Sequence, residues 1–317
     1  MKIVLTEPLG INQKLLDEFA GKLGDMGHTF MSYDTCPADQ EDLAERIQDA
    51  DAVMIANYPF REPAIRSASS LKYINIAFTG VDHVDIPVCR ELGIAVSNAS
   101  GYSDIAVSEL AFAMMLNLSR NVVACNTAVR DGKTKAGLIG TELFGKTLGV
   151  IGTGKIGTAV IKIALAFGCN VIAYSRTVKP ELEEMGVRFV SLEQLMKESD
   201  IVSLHLPQND STKGLINADL IGLMKPNAIF INTARGPIVD STALADALNS
   251  GKIAGAGIDV FENEPPVQPD HPLVAAKNTL LTPHVAFATK EALERRAAIV
   301  FENTFAWLRG EIKNQIV

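Results

Sequence analysis

Short apolar runs alternate with amphipathic stretches along most of the chain. "KIVLT" (Lys2–Thr6) precedes a pattern of helical period from Asn12 to Lys22. "AVMIA" (Ala52–Ala56), "KYINIA" (Lys72–Ala77) and "GIAVSN" (Gly93–Asn98) are further strand candidates. Strands that alternate with helices predict a parallel sheet with helices on its faces. From about Tyr102 the pattern changes. Residues 103–133 read as one long helical run, which Ser103 or Asp104 can cap and which Gly132 follows. A helix of that length bridges domains or supplies an oligomer surface, so a boundary is expected near residue 100. Its Met114–Met115 pair suits core or interface packing.

A second α/β series then begins. "KTLGVIG", "NVIAYS", "DIVSLHLP", "AIFINTA", "AGAGIDVF" and "TLLTPH" are six strand candidates with helical stretches between them. One last amphipathic helix is expected from about Thr289 to Arg309. The fold class is therefore α/β, with two doubly wound parallel-sheet domains and a cleft between them. One domain takes residues 1–99 with 289–317 and the larger takes residues 100–288.

Bulk composition narrows the partners. At 317 residues the chain is long enough for two domains, and 47% hydrophobic with 21% charged residues is an ordinary globular balance. A formal charge of −8 argues against nucleic acid or an anionic membrane as partner. Cys36, Cys89, Cys125 and Cys169 are scattered, with no metal-binding or redox spacing. They are expected to be free buried thiols in a reducing compartment. The first apolar run is too short for a signal segment, and none reaches the roughly 18 residues of a membrane helix. A cytoplasmic location follows as an expectation.

"LGVIGTGKIGTAVIKIALAFG" places Gly152, Gly154 and Gly157 in G-x-G-x-x-G spacing, after one strand and at the opening of a helix. The first glycine makes the tight turn, the second lets backbone approach a pyrophosphate, and the third lets helix and strand pack closely. Lys155 and Ile156 lie at the helix N-terminus, whose N–H groups and dipole favour phosphate. The larger domain is thus expected to be a Rossmann domain binding a dinucleotide. In that arrangement an acid about 20 residues on holds the adenosine ribose. Here the second strand ends in Ser175, Arg176 and Thr177, with Lys179 beyond. Serine cannot be that charged acceptor, whereas Arg176 and Lys179 can pair with a 2′-phosphate. The turn favours NADP over NAD.

Three later segments carry candidate chemistry at strand carboxyl ends, where ligands bind in open α/β sheets. "INTARGPIVD" offers Arg235, "GIDVFENEPP" offers Asp259, Glu262 and Glu264, and "LLTPHVAF" offers His284. Each alone has an ordinary reading as a surface cation, a solvated acid or a structural histidine. Together they suffice to reduce a 2-keto acid. The arginine binds the carboxylate and polarises the ketone, and the histidine donates a proton as hydride arrives. A glutamate beside that histidine raises its pKa and keeps it protonated.

These motifs, in this order, resemble the D-isomer-specific 2-hydroxyacid dehydrogenases. The likeness spans nearly the whole chain and is strongest from Gly140 to Ala288. It implies catalytic roles for Arg235, Glu264 and His284. It implies that Asp259 faces the nicotinamide carboxamide, that His205, Pro207, Thr233 and Ala234 line the cofactor, and that Thr212 lies near its phosphates. Arg235 and His284 would touch both cofactor and substrate. "FTGVDHVD" resembles the family's substrate loop, so Thr79 and the amides of Gly80 and Val81 are expected at the substrate carboxylate, with His83 structural. Family members typically form homodimers through the cofactor domain.

The substrate narrows by departures within the family. Phosphoglycerate dehydrogenases usually carry a basic residue after the third strand of the substrate domain. Here "IANYPFREP" puts Asn57 and Tyr58 there, with Arg61 still in reach of a phosphate. With the last helix reaching almost to Val317, no regulatory domain is expected after it. Phosphite dehydrogenases place a lysine where Thr79 stands, and formate dehydrogenases have a longer N-terminal segment. Hydroxypyruvate and glyoxylate lead, because "SRTVKP" is similar to the turns of hydroxypyruvate and hydroxyphenylpyruvate reductases. Tyr58 can meet the substrate side chain, which keeps an aromatic 2-keto acid open, and D-lactate formation is a further alternative. A dinucleotide-sensing binding module is the alternative of a different class. No metal is expected.

Overall fold

The apolar runs become strands covered on both faces, as all-parallel pairing requires. A computed structural model describes residues 1–264 and 266–317. It divides the chain into a smaller unit, residues 1–103 with 288–317, and a larger one, residues 104–287.

The smaller unit holds β1 (Lys2–Leu5), β2 (Thr29–Ser32), β3 (Ala52–Ile55), β4 (Tyr73–Ile76) and β5 (Ala95–Asn98). They pair in parallel in the order β2-β1-β3-β4-β5. Every residue of β3 and β4 is buried. The pattern of apolar runs missed β2. It is an edge strand with three of its four residues exposed, so it carries no apolar run. The last helix, Lys290–Leu308, belongs to this unit and is capped by Thr289, whose hydroxyl accepts from Ala292 N. Asn75 on β4 pins it, donating to Val300 O at 2.6 Å and to Thr304 Oγ1 at 3.0 Å. Phe19 stacks on Phe301 with ring centres 4.4 Å apart.

The larger unit holds β6 (Thr147–Ile151), β7 (Asn170–Tyr174), β8 (Arg188–Phe189), β9 (Ile201–Leu204), β10 (Ile229–Asn232), β11 (Gly255–Ile258) and β12 (Thr279–Leu281). Their order is β12-β11-β10-β9-β6-β7-β8, all parallel. The first six reproduce the doubly wound dinucleotide-binding order, with β12 beyond them. Six strands were expected, and the seventh, β8, is a two-residue edge strand too short to leave a pattern.

The single long helix expected over residues 103–133 is two helices, Asp104–Arg120 and Val122–Arg130. Asn121 breaks it with φ 54°, a left-handed conformation that asparagine tolerates better than most side chains. Met114 and Met115 are buried in the core. The expectation of buried thiols holds for Cys89 and Cys169 but not for exposed Cys36 or half-buried Cys125. Among the described residues no helix is long and apolar enough to cross a membrane, and no group of His, Cys, Asp and Glu side chains is arranged to hold a metal.

Candidate active site

The glycine triplet sits where β6 turns into the helix Lys155–Ala166. Gly152 has φ +96°, and a side chain there would meet the His205 carbonyl at 2.6 Å, so the turn excludes any other residue. A Cβ on Gly157 would lie 1.9 Å from the Gly152 carbonyl oxygen, which is the close helix–strand packing expected of the third glycine. Gly154 differs. Its φ is −63°, and no protein atom lies within 4 Å of a Cβ built on it. Neither strain nor packing demands glycine there, and the space it leaves lies at the helix N-terminus, where an anionic ligand is favoured.

Three buried polar atoms nearby have no hydrogen-bond partner among the described residues: Thr153 Oγ1, His205 Nδ1 and Thr233 Oγ1. They follow β6, β9 and β10, adjacent strands of the sheet. Buried polar groups are normally satisfied, so three orphans along one sheet edge mark a place where a polar ligand completes the structure. The residues present fit a dinucleotide. The other ring nitrogen of His205 meets Ser203 Oγ at 2.8 Å. Burial pushes the His205 imidazole down to about 4, which keeps it neutral at physiological pH. Pro207 and Thr212 close the same loop, with Thr212 Oγ1 donating to Pro207 O at 2.7 Å and accepting from Asn209 N at 2.9 Å. Ser175 is half-buried at the end of β7, and Arg176 and Thr177 are exposed. Lys179 leans back to Thr158 Oγ1, 3.4 Å away.

Arg235, Glu264 and His284 come from the loops after β10, β11 and β12. Asn232 shapes the first loop. Its Oδ1 accepts from Ala234 N at 3.0 Å and its Nδ2 donates to Arg235 O at 3.1 Å, an Asx turn that sets the arginine's backbone. Gly236 then lets this loop press on the next, because a Cβ there would lie 2.1 Å from the Phe261 carbonyl carbon. Glu264 Oε2 accepts from Phe261 N at 3.2 Å, and its Oε1 lies 2.6 Å from His284 Nδ1. The side chains of His284 and Glu264 are 31% and 14% exposed, so the pair is sheltered but reachable.

His284 has φ 53°, rare for a residue with a side chain and worth about 1–2 kcal/mol of strain. Asp259 holds it there. The carbonyl oxygen of Asp259 accepts from His284 N at 2.8 Å. Its carboxylate accepts from the Thr282 hydroxyl and from Val285 N and Ala286 N, both at 2.9 Å. Burial pushes the Asp259 carboxyl up, against those three donors and His284, which favour the charged form. Both carboxylate oxygens are therefore engaged within the turn that presents His284. These contacts make Asp259, which the resemblance places at the carboxamide, a brace of the histidine turn.

The remaining candidates lie in the smaller unit. Tyr58 follows β3, and Thr79, Gly80 and Val81 follow β4. Their two loops are tied together: Phe60 N donates to His83 O at 2.8 Å, and Arg61 Nη1 pairs with Asp85 Oδ1 at 3.1 Å. Arg61, the cation considered for a substrate phosphate, is the exposed partner of that ion pair. Asn98 Nδ2 donates to Thr79 O at 2.7 Å. Reading motifs missed Asn232, Asn98 and Thr282, which touch the site only through other residues. Asn232 and Asn98, each an asparagine at the end of a strand that accepts from a backbone N–H two residues on, carried a local turn signal, and Thr282 carried none.

Comparison with known proteins agrees with this geometry. Residues 112–286 match the model of the D-isomer specific 2-hydroxyacid dehydrogenase NAD binding domain. The glyoxylate reductase of Thermococcus litoralis is 42% identical over 285 residues, covering 87% of this chain and 86% of that protein. The hydroxypyruvate reductase of Blautia hydrogenotrophica is 36% identical over 325 residues, covering 100% of this chain and 99% of that protein. A solved acyclic imino acid reductase in complex with NADPH and D-Arg superposes with a TM-score of 0.90 at 31% identity, covering 100% of both chains. The chain belongs to the D-isomer specific 2-hydroxyacid dehydrogenases, oxidoreductases that use a nicotinamide dinucleotide.

Proposed function

We propose that the protein reduces a small 2-keto acid, hydroxypyruvate or glyoxylate, to the 2-hydroxy acid, which is the D isomer where the product is chiral. The observation that carries this reading is the Glu264–His284 pair, 2.6 Å apart on a strained and braced turn, with the Arg235 loop packed on the segment leading to Glu264. Glu264 engages Nδ1, which leaves Nε2 of His284 to give its proton to the substrate oxygen. The Arg235 guanidinium binds the α-carboxylate and polarises the ketone. NAD(P)H, when bound, would supply the hydride to the carbonyl carbon, so that the product gains one hydride and one proton. The amides of Gly80 and Val81 hold the substrate carboxylate, and Tyr58 contacts the side chain of the acid.

NADP is the favoured form of the cofactor. Ser175 stands where an acid would hold a free ribose, Arg176 is exposed beside it, and the imino acid reductase of similar fold was solved with NADPH. The relatives named as glyoxylate and hydroxypyruvate reductases support the substrate pair. Two copies of the chain pair through the region of residues 105–144, where Ile105, Val122, Val123, Val129, Ile139 and Phe144 are exposed apolar residues.

Steady-state oxidation of NADPH and of NADH with hydroxypyruvate, glyoxylate, pyruvate and phenylpyruvate tests the reading. Turnover is expected to be fastest with NADPH and with the first two acids. Absence of turnover with every acid would overturn it, and a preference for NADH would return Arg176 to a solvated turn.

A further inference from the structure

Glu7 is a buried carboxylate, 4% exposed, that no step of the proposed reaction uses. It leaves the carboxyl end of β1, in the crevice between β1 and β3 where the strand order of the smaller sheet reverses. Its Oε1 accepts from two backbone donors across that crevice, Ala56 N at 2.9 Å and Tyr58 N at 3.0 Å. These amides flank Asn57 and fix the backbone that carries Tyr58. The other oxygen takes the weaker contact of Cys36 Sγ, at 3.9 Å. Buried Arg296, which donates to Leu9 O at 2.7 Å, lies within electrostatic reach of Glu7.

A carboxylate kept out of water is costly unless its bonds are specific. Here the specific bonds all converge on one short loop. The loop's other ties lie at its flanks and at one side chain: Gln40 Nε2 donates to Pro59 O at 2.7 Å, Phe60 and Arg61 anchor it to residues 83–85, the Tyr58 ring packs against the core, and upstream it begins at the end of β3. Without Glu7 the two amides lose their acceptor, and the backbone of residues 56–58 is held only through those anchors.

We propose that Glu7 is a positioning residue for substrate selectivity, holding residues 56–58 so that Tyr58 meets the side chain of the 2-keto acid. This rests on the reading of Tyr58 given above. Glyoxylate carries only hydrogen on its carbonyl carbon, so it presents no side chain for the loop to contact. Hydroxypyruvate presents a hydroxymethyl group. A loss of loop position therefore falls on hydroxypyruvate and spares glyoxylate, whereas general damage falls on both.

The test compares kcat and KM for NADPH-dependent reduction of the two acids in the wild type, Glu7→Ala, Glu7→Gln and Tyr58→Ala. Glu7→Ala is expected to lower kcat/KM for hydroxypyruvate about tenfold, mainly through KM, and to leave glyoxylate within about twofold. Glu7→Gln keeps an oxygen at the Oε1 position and is expected to restore most of the loss. Equal losses on both acids, or a glutamine variant as impaired as the alanine, overturn the proposal. If Tyr58→Ala shows the selective loss and Glu7→Ala does not, Glu7 is dismissed while the reading of Tyr58 stands. If neither variant is selective, both fall. Amide hydrogen exchange supplies a readout without substrate. Exchange at Ala56 and Tyr58 is expected to quicken in Glu7→Ala and to recover in Glu7→Gln, and unchanged exchange overturns the clamp even if no acid is turned over.

Discussion

Each unit has a crevice where its strand order reverses, and the two are finished in opposite ways. In the smaller unit it lies between β1 and β3, and the chain closes it with its own carboxylate, Glu7, bonded to Ala56 N and Tyr58 N. In the larger unit it lies between β6 and β9. There the chain turns at Gly152 against the His205 carbonyl and, among the described residues, leaves Thr153 Oγ1 and His205 Nδ1 without partners. Both crevices obey the same topological rule. The difference teaches that topology offers a ligand site, and that satisfaction of the local polar groups decides whether the site is used or sealed.

The sharpest way to break that comparison is to remove the chemistry assigned to the open end of the larger sheet. His284→Ala and Arg235→Ala are each expected to lower kcat/KM on 2-keto acids by about two to four orders of magnitude. Cofactor affinity, measured by fluorescence titration, should change far less in His284→Ala. Near-wild-type rates in either variant would detach the reaction from that end of the sheet.

His205 offers a smaller effect at the same edge. Its folded value of about 4 lies below the 6.5 of an unperturbed histidine. Between those pH values the unfolded chain takes up a proton that the native chain does not, so stability falls as pH drops through that window and levels below it. Part of the residue reaches the surface although Nδ1 is buried, so the loss attributable to it is on the order of 1–3 kcal/mol. His205→Gln should flatten the acid limb of a stability–pH curve from urea unfolding by that amount. An unchanged limb would show that the imidazole is not the buried neutral base described.

Much of this is legible in the sequence. Continuous apolar runs marked the central strands, because parallel strands are buried on both faces. The glycine spacing and the Arg235, Glu264 and His284 segments were local signals. Edge strands β2 and β8 were not legible, since half-exposed strands need no apolar run. The helix break was missed because Asn121 is compatible with a helix by composition and reveals itself only by φ 54°. Glu7 was illegible for another reason. Its partners stand 49 and 51 residues away, and only the pairing of β1 with β3 brings them within reach.

The finest test separates two glycines of one motif that look equivalent in sequence. A methyl group on Gly157 would lie 1.9 Å from a backbone oxygen, so Gly157→Ala must push the helix off β6. Such overpacking typically costs about 1–3 kcal/mol, readable as a lower urea midpoint. Gly154→Ala meets no protein atom within 4 Å and adopts a φ of −63° that alanine accepts. Its urea midpoint is expected to stay at the wild-type value. The methyl group would instead occupy the space left at the helix N-terminus, and dinucleotide affinity should fall about tenfold, a cost of about 1.4 kcal/mol. If Gly154→Ala binds NADPH as tightly as the wild type, the open space beside it is not where the pyrophosphate sits, and the contrast between a sealed and an open crevice would rest on the orphaned atoms alone. If it instead unfolds more readily, Gly154 belongs with Gly157 as a requirement of the fold. Only a stable variant with weakened binding assigns one glycine to the fold and the other to the ligand.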